Sequence, residues 1–195
     1  IIGSGPSARV MQISIEKFTL IGATTRLGLL SRPLRDRFGI PLQLNFYNPN
    51  DLNEILQLTS KKLEVVIDEN ASLEIAKRSR GTPRIAIRLL KRIIDFSIVD
   101  EVNRINYEIV VKSLKKMRID SEGLDDMDRK YMKCISIDYN GGPVGIETLS
   151  AALLEQKDII EDVIEPYLMQ RGLVQRTSRG RVLSKKGQEH IINNI

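Results

Sequence analysis

At 195 residues the chain is long enough for one large domain or two to three small ones, each with an apolar core of its own. Apolar residues make up 42% and charged residues 28%, and no apolar run approaches the roughly 18–20 residues of a bilayer-spanning helix, so no membrane role is suggested. The net charge of +5 is mild, but its placement is uneven: Lys77, Arg78, Arg80, Arg84, Arg88, Lys91 and Arg92 form one run without an acidic residue, and Arg171, Arg176, Arg179, Arg181, Lys185 and Lys186 form another. Each run can face a polyanion.

Residues 1–45 read as β-rich. The segment from Arg9 alternates, and Phe18-Thr-Leu-Ile-Gly is a short apolar run of the kind buried in a parallel sheet. It ends abruptly in Ala23-Thr24-Thr25-Arg26, and in open α/β sheets chemistry gathers at such strand ends. The opening Ile1-Ile-Gly-Ser-Gly-Pro lacks the features of a signal peptide and reads as a chain cut mid-domain.

From Tyr47 to about residue 119 the pattern turns helical. Asn50 or Asp51 is expected to cap a helix carrying Leu52, Ile55, Leu56 and Leu63, and a second helix should follow Asp68. A third has the clearest start: Gly81 breaks the preceding element, Thr82 suits the N-cap and Pro83 suits N1, ahead of a stripe of Ile85, Leu89, Ile93 and Phe96. Residues 105–117 give a fourth. Together they predict a compact helical bundle.

A boundary is expected near residue 120. Beyond it come a helix through Met127-Asp-Arg-Lys-Tyr-Met-Lys-Cys-Ile, a breaker cluster at Tyr139-Asn-Gly-Gly-Pro, helices over 146–154 and 158–170, and two β segments, 173–176 and 181–183, joined by a turn at Thr177-Ser-Arg-Gly180. Three helices followed by a hairpin make a winged helix. The fold class is thus mainly α with some β: the remnant of an α/β core over 1–45, a helical bundle over 46–119 and a winged helix over 120–195.

The lone Cys134 rules out an intramolecular disulfide, and with the lone His190 it cannot build a usual structural zinc site. A reducing, cytoplasmic setting is expected. Cys134 lies in an apolar helical pattern and reads as a core thiol; His190, with no nearby carboxylate and nucleophile pair, reads as a surface histidine.

Three constellations carry candidate chemistry. Gln175-Arg-Thr-Ser-Arg-Gly-Arg sets Arg176, Arg179 and Arg181 on a narrow protruding ribbon with no carboxylate to neutralise them, suited to duplex phosphates and, lacking a base-reading set, to little sequence choice. A solvated basic hairpin is the plainer alternative. Leu34-Arg35-Asp36-Arg37-Phe38 offers arginines that can reach a neighbouring subunit's nucleotide, or form a surface salt-bridge cluster. In Gly81-Thr-Pro-Arg-Ile, Arg84 stands beside the positive end of a helix dipole, where a nearby anion would explain it; an exposed arginine costing a few tenths of a kcal/mol is the bland reading.

Taken in order, Gly22-Ala-Thr-Thr-Arg, Ser31-Arg-Pro-Leu-Arg-Asp-Arg-Phe-Gly, Arg80-Gly-Thr-Pro-Arg, Gly141-Gly-Pro-Val-Gly and Gln175-Arg-Thr-Ser-Arg-Gly-Arg closely resemble the RuvB family of bacterial Holliday-junction branch-migration motors, along essentially the whole chain. The resemblance implies an AAA+ core, a helical lid and a C-terminal winged helix. It implies an ATP-dependent DNA helicase or translocase of hexameric type, acting in recombination, repair and the SOS response. ATP or ADP with magnesium, a RuvA-like junction-binding protein, a RuvC-like resolvase and a homo-oligomeric ring are implied with it.

The resemblance also assigns roles. Thr25, with Thr24 the lesser choice, is implied as the γ-phosphate sensor; Arg37 as the arginine finger acting in trans; Tyr47 as the tyrosine beside the nucleotide; and Arg84 as the lid arginine on the phosphates. Arg176 and Arg181 match the DNA-contacting wing arginines, with Arg179 an extra. Residues 1–15 resemble the remainder of a hairpin that docks on RuvA. No Gly-x-x-x-x-Gly-Lys-Ser/Thr loop and no apolar strand ending in paired Asp and Glu occur, so the phosphate cradle and magnesium ligands are not in this chain, which alone is expected to be inactive. Arg32 departs from the small residue usual beside the finger. The rival reading is a non-enzymatic winged-helix DNA-binding or adaptor protein in which Arg37 and Arg84 are structural; a clamp-loader-like AAA+ subunit is a third.

Overall fold

The computed structural model describes residues 15–24 and 26–193. They divide into two compact units, one ending at Leu44 and one running from Asn45. In the first, the described residues form a 3₁₀ turn, Leu27–Leu29, and a short helix α1, Arg32–Arg35, with Pro33 in its first turn. The strand expected at Phe18-Thr-Leu-Ile-Gly does not form: the segment is extended, pairs with no other strand among the described residues, and leaves Phe18, Leu20 and Ile21 exposed. A buried parallel strand exists only when neighbours satisfy its amides and cover both faces, and the described residues supply none.

The second unit begins with a helical bundle. Helix α2, Pro49–Lys62, is capped by Asn48 rather than by Asn50 or Asp51: Asn48 Oδ1 accepts the Asp51 N–H at 2.9 Å, while Pro49, with φ fixed and no donor to lose, starts the helix directly after it. Leu52 and Leu56 face inward; Leu63 is the C-cap and exposed. A two-residue strand β1, Val66–Ile67, leads into α3, Glu69–Lys77. Helix α4, Pro83–Val99, starts where Gly81, Thr82 and Pro83 predict and buries Leu89, Leu90 and Ile93. Strand β2, Arg104–Ile105, pairs in parallel with β1, a contact too short to leave a period in the sequence, and α5, Tyr107–Lys116, capped by Asn106, closes the bundle. Each fully buried Leu or Ile here contributes about 1.5–3 kcal/mol.

The winged helix has a core of its own around Leu124, Tyr131, Ile135, Leu149, Ile160 and Leu168. Helix α6, Asp126–Lys133, opens on a reciprocal capping box between Asp125 and Asp128 and continues into a π-helical stretch, Cys134–Asp138. Helix α7, Ile146–Leu153, ends at Leu154, which takes a left-handed φ of 57°. The next helix runs as α8, Lys157–Ile159, a π-helical stretch, Ile160–Ile164, and α9, Glu165–Gln170. The departure from regular α geometry has a local cause: Pro166 offers no N–H and its ring would strike the carbonyl four residues back, so the backbone widens there. Strands β3, Val174–Thr177, and β4, Gly180–Leu183, form the hairpin, Arg181 also bridges Val144, and α10, Lys185–Asn193, packs behind.

Cys134 is buried, as expected, and burial pushes its thiol pKa up. His190 is not a surface residue: its side chain is 9% exposed and its Nε2 lies 2.9 Å from Asp120 Oδ2, a partner 70 positions away that local spacing does not show.

Candidate functional site

The hairpin is the two-residue kind. Thr177 pairs with Gly180, leaving Ser178 and Arg179 at the tip, and Thr177 Oγ1 accepts from the Arg179 N–H and donates to the Gly180 carbonyl. Gly180, with φ +137°, is required twice over: a Cβ there would sit 2.4 Å from the Val144 carbonyl oxygen, and the backbone conformation disfavours any L side chain. The Val144 backbone lies against this position because it exchanges both hydrogen bonds with Arg181, at 2.8 and 2.9 Å.

The three wing arginines differ sharply. Arg179 is exposed at the tip and has no ion pair among the described residues. Arg176 and Arg181 stand directly opposite each other in the ladder, and neither is the unneutralised cation that its own segment suggests. Glu161 and Glu165, one turn apart on the helix behind, meet both. Arg176 Nη2 lies 2.8 Å from Glu161 Oε1 and 2.8 Å from Glu165 Oε2; Arg181 donates from Nε to Glu165 Oε1 and from Nη2 to Glu161 Oε1, both at 2.7 Å. Two guanidinium groups opposed across a ladder repel, and the carboxylates offset this. The Arg181 side chain is only 9% exposed; burial by itself would lower its pKa, but the hydrogen bond and charge of Glu165, with Glu161 adding to them, hold it above the usual arginine value. Glu165 is buried and also accepts from Tyr131 Oη at 3.0 Å.

Sequence reading did not single out these glutamates. The signal was present in the acid-rich stretch 155–165 and in the four-residue spacing of Glu161 and Glu165, but not their inward aim. The other basic residues of the second run are also partly spoken for: Arg171 and Lys186 both pair with Glu122. In the first run, Arg78 pairs with Glu74 and Arg92 with Asp95, while Arg84, Arg88 and Lys91 are exposed along α4.

Tyr47 and Arg84 are brought to one corner of the bundle. The Tyr47 N–H donates to the Gly81 carbonyl at 2.9 Å, and Gly81, at φ +68°, has no room for a Cβ because Phe46 lies 2.8 Å from where it would be. Two residues on, Pro83 begins α4 and Arg84 projects from its first turn, exposed, at the rim of a groove shared with Ile87, Arg88 and Lys91. An aromatic ring and cations beside a helix N-terminus fit a purine nucleotide with its phosphates. Among the described residues no cluster of His, Cys, Asp or Glu could hold a metal ion. In the other unit, Arg37 follows α1, its N–H donating to the Leu34 carbonyl, and its side chain is exposed. Thr25 lies outside the described residues, as does the hairpin expected over 1–15 except Ile15; Thr24 Oγ1 accepts from the Arg26 N–H.

Four residues before Arg84, Arg80 ties the bundle to the winged helix. From a left-handed backbone, φ 53°, it donates through Nε to the Gly123 carbonyl at 2.9 Å, pairs through Nη2 with Asp125 and Asp128, and stacks 5.0 Å over the Tyr167 ring.

A four-helix bundle continued into a winged helix is the architecture of an AAA+ lid joined to its C-terminal module. Comparisons with known proteins agree: the model of the RuvB AAA lid domain matches residues 47–120, that of the RuvB C-terminal winged helix domain residues 121–192, and that of the Holliday junction DNA helicase RuvB P-loop domain residues 1–44. The Holliday junction branch migration complex subunit RuvB of Rickettsia africae is 58% identical over 191 residues, 98% of this chain, and that of Orientia tsutsugamushi strain Boryong 56% identical over 97% of it. The solved structure of the Thermotoga maritima RuvB Holliday junction branch migration motor superposes with a TM-score of 0.86 at 50% identity, covering 91% of this chain and 60% of that one. The chain belongs to the RuvB family, and spans 56–58% of the length of the two curated relatives.

Proposed function

We propose that the chain works as part of an ATP-driven ring motor that moves duplex DNA through a Holliday junction in recombination and repair, its three segments, 1–45, 46–119 and 120–195, serving as core remnant, lid and DNA grip. The family membership and the name shared by the relatives support the junction motor; a RuvA-like junction-binding protein, a RuvC-like resolvase and further copies of the subunit are its proposed partners. The observation that carries it is the single stretch of backbone, Arg80 to Arg84, which has the winged helix tied to one end and the exposed Arg84, in the first turn of α4, at the other.

When bound, ATP with magnesium, whose ligands are not in this chain, would supply the phosphoryl group whose transfer drives the cycle. Tyr47 and Arg84 bind and orient the nucleotide at the lid corner. Thr25 senses its terminal phosphate, and Arg37 reaches a neighbour's site to stabilise charge there. Arg176, Arg179 and Arg181 form the DNA side, with Arg181 placing the hairpin and Arg176 and Arg179 nearest to solvent.

The test is branch migration of a synthetic four-way junction by the assembled motor. Arg84→Ala is expected to abolish ATP-driven migration while leaving duplex binding intact, and Arg176→Ala with Arg179→Ala to weaken both. Unimpaired migration by Arg84→Ala would take Arg84 out of the nucleotide site, and no ATP-driven migration by the unmodified motor would favour the adaptor reading.

A further inference from the structure

Glu161 and Glu165 both touch the wing arginines, yet their surroundings differ. Glu165, its side chain 1% exposed and bonded by Tyr131, Arg181 and Arg176, is a buried partner of both arginines. Glu161 stands at the solvent edge, 34% exposed, and one of its oxygens, Oε1, accepts both from Arg176 Nη2 at 2.8 Å and from Arg181 Nη2 at 2.7 Å. An anionic oxygen bridging two guanidinium groups at the rim of a basic ribbon is the arrangement that a DNA phosphate oxygen would adopt there.

We propose that Glu161 is an internal substitute for a DNA phosphate, holding the wing's anion position until duplex displaces it and thereby setting the strength and salt dependence of binding. This rests on the reading of the wing as the DNA grip. In the free chain the two opposed arginines and two glutamates cancel, so Arg179 alone presents net charge at the hairpin. A phosphate that takes Arg176 must release Glu161 to solvent, and its partial exposure makes that exchange feasible without unpacking Glu165.

The discriminating feature is the sign of the effect. A glutamate that merely positions Arg176 would weaken binding when removed; a competitor would strengthen it. Titration of a fluorescent duplex with the Glu161→Gln chain, across a salt series, should show binding about three- to tenfold tighter at low salt and a log-log salt slope steeper by up to about 0.9, the increment of one further phosphate neutralised without a carboxylate set free. Glu161→Ala should change binding in the same direction. Equal or weaker binding by either folded variant overturns the proposal. Arg176→Ala with Arg179→Ala is the separate control: if that pair leaves affinity unchanged, it is the wing reading that fails. Should both Glu161 variants unfold, NMR of the unmodified chain decides, because the Glu161 carboxyl carbon must shift on adding duplex, and an unmoved resonance overturns the proposal.

Discussion

Arg80, in the middle of the loop between α3 and α4, forms an ion pair with Asp128, in the first turn of α6, across the junction between the two hydrophobic cores. Asp128 also accepts the Asp125 N–H as half of a capping box, so one carboxylate both starts a helix and anchors the bundle to it. Burial pushes its pKa up to about 6, against the opposing pull of Arg80 and with a further upward push from Asp125.

The sign of the pH effect follows. With the folded pKa above the ordinary aspartate value, the native chain holds the Asp128 proton to higher pH than the unfolded chain does, so this group favours folding most below about pH 4 and that contribution is lost as pH rises through about 6. Urea unfolding over this range should show the unmodified chain losing stability relative to Asp128→Asn. Asp128→Ala, which strips Arg80 of its buried partner, should cost about 3 kcal/mol at neutral pH.

Arg181 and Arg179 should respond in opposite ways to truncation. Arg181→Ala leaves Glu165 buried and short of a partner, and is expected to lower stability by about 3 kcal/mol, read as a fall in Tm. Arg179→Ala should leave Tm within about 0.5 kcal/mol equivalent of the parent while flattening the salt dependence of duplex binding by about 0.9. A large stability loss from Arg179→Ala would contradict the exposed placement of that side chain.

Gly180→Ala should detach the wing from Val144. The added Cβ meets backbone rather than a movable side chain, and with the backbone strain a loss of about 2 kcal/mol or more is expected. Hydrogen exchange should localise the change to the amides of Val144 and Arg181, each of which donates to the other residue's carbonyl.

Arg37→Ala should leave the stability of the chain unchanged within about 0.5 kcal/mol, the side chain being exposed, yet, placed in complete P-loop-bearing subunits, lower ATP turnover of the proposed ring by about 10³-fold or more. Mixing it with a P-loop-deficient subunit should restore part of the turnover, since an arginine acting in trans and a cradle acting in cis then come from different chains. No recovery would place Arg37 outside the neighbour's site.

How much of this was readable in the sequence depended on distance along the chain. Gly81, Thr82 and Pro83 announce α4 because breaker, cap and first-turn proline are adjacent, and the hairpin is announced by a glycine between two β segments. Pro166 likewise carried a local warning of the π-helical stretch, though a period search passes over it. The ion partners had no such signature: Arg181 and Glu161 are 20 positions apart and Arg80 and Asp128 are 48, so a run of arginines that looked open to polyanions is in part internal wiring. The segment from Phe18 to Gly22 misled for the opposite reason, since its apolar pattern describes a strand whose neighbours the described residues do not include.

The five residues from Arg80 to Arg84 make a short mechanical linkage. The winged helix is fastened to one end by a guanidinium, α4 is fastened to the other by Pro83, and Gly81 between them is clamped against Phe46 with no space for a Cβ. In the proposed cycle a phosphate drawing on Arg84 therefore strains the same peptide segment that carries the wing's anchor, four residues away. Torque need not diffuse through either hydrophobic core, and lid and wing would turn as one lever.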